Sequence, residues 1–188
     1  MKNLKMIALS LFLAAGTSAI AQTKNIDVKK STIKWFAEKV TGKHEGTVNF
    51  KEGALAFKGD KVTGGNFTVD MTSLADTDLK ADQGKEKLEG HLKSDDFFGV
   101  EKFPTGKLVF KTIAAKANGV YTVTADLTLK GVTKPVTFDL ATTKTGASTT
   151  FKIDRTKYDI RYGSKSFFEG IGDKAIYDEF TVTVNLVY

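Results

Sequence analysis

Three features of the sequence predict an all-β fold, an antiparallel barrel of about eight strands with one short helical insertion. They are runs of period-2 alternation, glycine-bearing turns between those runs, and one stretch where the alternation stops. Successive side chains of a strand point to opposite faces, so every second residue shares a surface. Along 120–130, Tyr121, Val123, Ala125, Leu127 and Leu129 fall on one face, and Thr122, Thr124, Asp126, Thr128 and Lys130 on the other. That is the pattern of an antiparallel strand with one dry side and one wet side.

In chain order the strand signals are Ile33/Trp35, Val48/Phe50, Leu55/Phe57 and Phe67/Val69/Met71, then Leu108/Phe110 and the 120–130 run. Val136/Phe138/Leu140 and Phe151/Ile153 follow, and last comes Phe180, Val182, Val184, Leu186 and Tyr188 set against Thr181, Thr183 and Asn185. Turns are expected at Lys51-Glu52-Gly53, Lys58-Gly59-Asp60, Asn118-Gly119, Lys130-Gly131 and Thr145-Gly146, where glycine makes positive φ inexpensive. Eight or nine strands in hairpin succession avoid open edges by closing on themselves or stacking, and a barrel is the preferred solution. Between Leu74 and Pro104 the alternation fails. Leu88 and Leu92 there stand at i, i+4, as on a short amphipathic helix over 85–93, with Phe97 and Phe98 following and expected to turn inward with them.

The first 21 residues read as a secretory signal peptide. Lys2 and Lys5 precede an apolar run from Met6 to Ala15, and Ala19-Ile20-Ala21 is a small-x-small cleavage site ahead of Gln22. The run is about half the ~20 apolar residues of a membrane span, so the mature chain, 22–188, is expected to form one domain in the periplasm without a transmembrane span. Lys2 and Lys5 leave with the leader, so 26 basic residues face 22 acidic ones and the net charge falls from +6 to +4. The charges are interspersed rather than clustered, which together with the compartment argues against a nucleic-acid partner. Cysteine is absent, which excludes disulfide scaffolds, thiol catalysis and zinc-thiolate sites.

Catalytic and cofactor motifs are missing. There is no G-x-S-x-G elbow, P-loop or G-x-G-x-x-G. Ser31-Thr32-Ile33-Lys34 matches S-x-x-K, but that mechanism needs both residues on one helical turn, and on a strand i and i+3 face opposite ways. His44 and His91 lack partners at ligand spacing, so no metal site is expected. The adjacent acids Asp95/Asp96 and Asp178/Glu179 read as turn and cap residues.

The remaining excess is aromatic. Trp35, Phe50, Phe57, Phe67, Phe110, Tyr121, Phe138, Phe151 and Phe180 all occupy the apolar strand faces. Either they fill a solid core, or they line a barrel wide enough for one small apolar ligand, as barrels of about eight strands are.

Two stretches carry a family resemblance. His91-Leu92-Lys93-Ser94-Asp95-Asp96-Phe97-Phe98-Gly99-Val100-Glu101-Lys102-Phe103-Pro104-Thr105 and Ala125-Asp126-Leu127-Thr128-Leu129-Lys130-Gly131-Val132-Thr133-Lys134-Pro135-Val136 resemble, in the right order, signatures of the YceI-like family of bacterial periplasmic proteins. Trp35 and the Thr41-Gly42-Lys43-His44-Glu45-Gly46 turn precede them. The resemblance implies an extended, lipocalin-like barrel that binds a polyisoprenoid or similar long-chain amphiphile in an apolar pore, without catalysis. Trp35, Phe50, Phe67, Phe97, Phe98, Phe110, Leu127, Phe138 and Phe180 are then expected to touch the lipid tail, with Arg155 or Arg161 as candidates for an anionic head group. The stretch Arg161 to Ile176 is longer and more aromatic than the family pattern. Two rival readings remain: a solid-core module binding a protein partner through the 160–176 loop, and a lipid-modifying enzyme with Asp126 or His44 as base.

Overall fold

The computed structural model describes residues 21–188. The expected leader, 1–20, lies outside the described residues, and Ala21, its last expected residue, opens the first strand. The strands are β1 (Ala21–Asn25), β2 (Thr32–Lys39), β3 (Gly42–Lys58), β4 (Lys61–Asp76), β5 (Thr105–Ala115), β6 (Val120–Leu129), β7 (Val132–Thr142), β8 (Gly146–Asp154) and β9 (Ile176–Val187), with one α-helix, α1 (Lys85–Lys93), between β4 and β5.

All pairings are antiparallel, and neighbours in sequence are neighbours in space from β2 to β9. The meander closes because β2 pairs with β9 as well as β3, so β2 to β9 form an eight-stranded barrel. β1 extends the wall beyond β2, lying along the second half of β3, with Gln22 opposite Phe57. At 17 residues β3 is long enough to serve both partners, about 55 Å at ~3.3 Å per residue.

The predicted alternation is realised on β6, where Tyr121, Val123, Ala125, Leu127 and Leu129 are all buried. Asn118-Gly119 and Lys130-Gly131 each place two successive residues at positive φ, the type I′ geometry whose twist matches that of the strands it joins. Lys51-Glu52-Gly53 differs from expectation. It is no turn but a bulge within β3, since Phe50 faces Val69 and Glu52 faces Thr68, leaving Lys51 extra. Glycine at 53 reflects close approach, because a Cβ there would lie 2.4 Å from the Phe67 ring.

The barrel wall is uneven. β6 and β7 share ten residue pairs, whereas β7 and β8 share only Ala141/Ser148 and Thr142/Ala147 before diverging. Across the gap the Thr149 hydroxyl donates to the Asp139 carbonyl at 2.7 Å, and the Phe138 and Phe151 rings stack at 4.7 Å and 18°.

The apolar interior divides into two packed clusters. One, near the β1 end, includes Leu55, Val123, Leu140 and Leu186. The other, near the helix end, includes Trp35, Leu74, Phe97, Tyr158, Ile160 and Val182. Phe97 is buried, as expected; Leu88 is half-buried on α1. Among the described residues no helix is long and apolar enough to cross a membrane.

Candidate functional site

A cavity of about 190 Å³ runs inside the barrel, lined from all eight closing strands. It reaches from Leu140 and Leu186 toward the β1 end to Leu92, Phe97, Phe98 and Ile176 at the helix end. Polar groups are few: Lys107, Thr149, Arg155 and Tyr177 join a lining otherwise built of aliphatic and aromatic side chains and Gly106. For scale, an engineered apolar cavity of ~150 Å³ stays dry and takes up benzene.

The phenylalanines read from the strand faces meet as a belt around this cavity. Phe50 lies 6.1 Å from Phe67, Phe67 5.8 Å from Phe110, Phe110 6.0 Å from Phe138, and Phe138 stacks on Phe151. Register explains the belt: Phe67 stands opposite Leu108 and Phe138 opposite Val123, so inward positions of successive strands line up. All nine residues proposed for the tail, Trp35, Phe50, Phe67, Phe97, Phe98, Phe110, Leu127, Phe138 and Phe180, line the cavity.

Arg155 also reaches the cavity, but its donors are committed elsewhere. It sits 4% exposed at the start of the segment joining β8 to β9. Its Nε donates to the Tyr177 carbonyl at 3.1 Å, Nη1 to Ile160 and Tyr162 at 2.9 Å each, and Nη2 to Ile176 at 3.0 Å. Asp178 lies 3.6 Å from Nη2, and the Phe97 ring 5.8 Å from the guanidinium carbon. Burial lowers the guanidinium pKa, opposed by the charges of Asp178 and Asp154. Arg155 therefore ties the 160–176 loop to the barrel end. Arg161 is exposed, pairs with Asp159 at 2.9 Å, lies over the Phe167 ring, and takes no part in the cavity wall.

The turn that begins with Arg155 also holds Tyr158, 1% exposed, whose hydroxyl is pushed up to about 12 by burial and by the Asp154 charge. Farther along, Tyr162, Phe167 and Phe168 lie with Tyr177 on the outer surface, each roughly half exposed.

The other candidates fall outside the cavity. Asp126 belongs to the outer face of β6, 3.6 Å from Lys111. Ser31 accepts the Val187 amide at 3.0 Å, a strand-end contact. His91 packs its ring between Phe97 and Tyr162 at 4.9 and 4.5 Å. His44 stands at the helix-end rim with Asp76 and Asp78, a grouping invisible in sequence because 32 residues separate the histidine from the nearer acid.

Residues 25–188 match the YceI-like domain. The chain belongs to that family. Among its relatives, a UPF0312 protein of Shewanella denitrificans is 38% identical over 101 residues, 54% of this chain and 50% of that protein. One from Vibrio parahaemolyticus is 32% identical over 104 residues, 50% of this chain and 55% of that protein. The chain thus spans about half the length of the relatives it matches. Among solved structures, Burkholderia cenocepacia BcnA superposes with a TM-score of 0.69 at 20% identity, covering 87% of this chain and 99% of that one. A polyisoprenoid binding domain from Saccharophagus degradans, implicated in plant cell wall breakdown, gives 0.57 at 16% identity, with 86% and 95% covered. At these identities the structural likeness establishes the barrel fold alone.

Proposed function

We propose that this YceI-like protein is a periplasmic carrier that holds one long-chain amphiphilic lipid, of polyisoprenoid or fatty-acyl type, in the barrel interior, without catalysis. The observation that carries the reading is the hollow itself: an elongated apolar cavity walled by the phenylalanine belt instead of closed by it. An alkyl or isoprenoid chain gains roughly 25 cal/mol per Å² of apolar surface it removes from water, with no polar partner needed along its length. The Saccharophagus degradans neighbour, a polyisoprenoid binding domain by description, supports the same class of ligand.

The test is native mass spectrometry of the protein purified from the periplasm, followed by solvent extraction and identification of the adduct. A stoichiometric long-chain lipid is expected, and Phe138→Asp is expected to lose it, because a carboxylate in the belt cannot be desolvated against a hydrocarbon chain. A folded Phe138→Asp protein retaining its lipid, or failure of the parent to bind any isoprenoid or fatty-acyl lipid in titration, refutes the assignment.

One observation favours a second reading, an interaction module docking through the 160–176 loop. The exposed rings of Tyr162, Phe167 and Phe168 with Tyr177 are larger than solvent contact requires. Under that reading a partner protein is lost when the loop is shortened while the cavity stays empty.

A further inference from the structure

His44 on β3, Asp76 at the end of β4 and Asp78 just beyond it converge at the rim of the barrel that α1 covers. The register brings them there: Gly46 stands opposite both Trp35 and Asp76, and His44 lies two residues from Gly46 on the same face of β3. His44 Nδ1 is 3.1 Å from Asp78 Oδ2 and 3.9 Å from Asp76 Oδ2, and one ligand atom from each residue falls within 4.8 Å of the others. Tetrahedral zinc, with bonds of about 2.0–2.2 Å, holds its ligand atoms roughly 3.3–3.5 Å apart. Small side-chain rotations close that difference.

The carboxylates are already oriented for such a task. Asp76 Oδ1 accepts the Leu79 amide at 2.8 Å, and Asp78 Oδ1 accepts the Glu45 amide at 2.9 Å, leaving the second oxygen of each beside His44. This is the outer-shell support that fixes metal ligands. Asp76 has no exposed surface, yet its Oδ2 has no hydrogen-bond partner. Trp35 Nε1, in the same cross-strand row, is equally without a partner, so the two do not satisfy each other. A buried carboxylate oxygen left in that condition is costly, and a cation beside it offsets the cost. Glu89 of α1 accepts the Asp76 amide at 2.9 Å, which ties the helix to the same point.

From this geometry we infer that His44, Asp76 and Asp78 form a site for one divalent cation of the zinc class. One imidazole nitrogen and two carboxylate oxygens, a mixed nitrogen and oxygen set of three, suit zinc or cobalt. Calcium requires six to eight oxygens, and magnesium keeps most of its water. The site is independent of the lipid reading, because none of the three residues lines the cavity.

The experiment is calorimetric titration of the chelator-treated protein with zinc chloride and with cobalt chloride, accompanied by thermal melts and the visible spectrum of the cobalt form. Expected are one-to-one uptake, a melting temperature that rises with metal concentration, and cobalt bands of low coordination number. His44→Ala and the near-isosteric Asp76→Asn are each expected to weaken binding by about 100-fold or more, since loss of an outer-shell partner alone costs roughly 10–100-fold. Should Asp76→Asn fail to fold, Asp78→Asn, at a partly exposed position, provides the same reading. Absence of uptake at about 1 mM zinc, as a proton shared between the two aspartates would produce, overturns the inference. So does unchanged uptake in folded variants.

Discussion

Replacing Arg155 by lysine tests whether this residue serves the fold or a ligand. The guanidinium serves four carbonyls at once, two on the loop (Ile160, Tyr162) and two at the start of β9 (Ile176, Tyr177). An ammonium keeps the charge but offers three donors from a single point and no planar fork, so at least one of the four carbonyls, and by geometry two, is left without a partner. Each buried acceptor left unsatisfied costs about 1–3 kcal/mol. Arg155→Lys is therefore expected to destabilise by about 2–6 kcal/mol, a large part of the ~5–15 kcal/mol typical of a domain. The readouts are the urea midpoint and hydrogen exchange. The Ser164 and Phe168 amides, bonded to Arg161 and Ser164 carbonyls within the loop, are expected to lose protection first, with β6 following global stability. A lysine variant within about 0.5 kcal/mol of the parent and with unaltered loop protection refutes the anchoring role. If such a variant also lost its lipid, the residue would be a head-group ligand instead.

Tyr158→Phe removes a buried hydroxyl that has no hydrogen-bond partner, so denaturation should show a variant as stable as the parent at neutral pH, or more so. Burial raises the parent's Tyr158 pKa to about 12, above the ordinary 10, so the parent keeps its stability below pH 10 and loses part of it as pH rises toward 12. The shift of about two units amounts to roughly 3 kcal/mol at most, and pH-dependent melts of the phenylalanine variant should lack that alkaline loss. Gly46→Ala should cost about 3 kcal/mol or more, measured as loss of soluble protein or a lowered midpoint. Its methyl would lie 1.9 Å from the Ala75 carbonyl oxygen and 2.5 Å from the Trp35 ring, where the opposing backbone cannot give way.

What the sequence made legible is what depends on local period. The inward row of β6, the helix at Lys85–Lys93 and the two-residue turns at Asn118-Gly119 and Lys130-Gly131 all follow from side-chain spacing or glycine chemistry, and all are present. The bulge at Lys51 was read as a turn because a glycine between alternating runs looks the same in either case. Only the Phe67 ring pressed against Gly53, which comes from β4, distinguishes them. Arg155 is legible in the sequence only as a candidate for an anionic head group, because its four partners come from residues 160–177, whose path has no periodic signal. The His44 grouping was hidden for a related reason: His44 and Asp76 lie on paired strands, with Asp78 just past the end of one, and strand pairing does not produce a fixed sequence interval.

The belt of phenylalanines was visible in the sequence, but whether it encloses space was not, because a filled core and a lined cavity present the same inward alternation. The difference is energetic. An unfilled hollow of about 190 Å³ costs about 4–5 kcal/mol at the ~24 cal/mol per Å³ found for engineered cavities, a sum few domains of this size can lose without another source of stability. Here that source is the closed sheet: eight strands joined in a ring, unpaired mainly where β7 and β8 diverge, and β3 and β4 paired along most of their length. A chain filling the hollow recovers much of that cost through dispersion contacts with the walls. Ligand retention and thermal stability should therefore rise and fall together, and tail chemistry matters less than a cross-section narrow enough to pass between the rings.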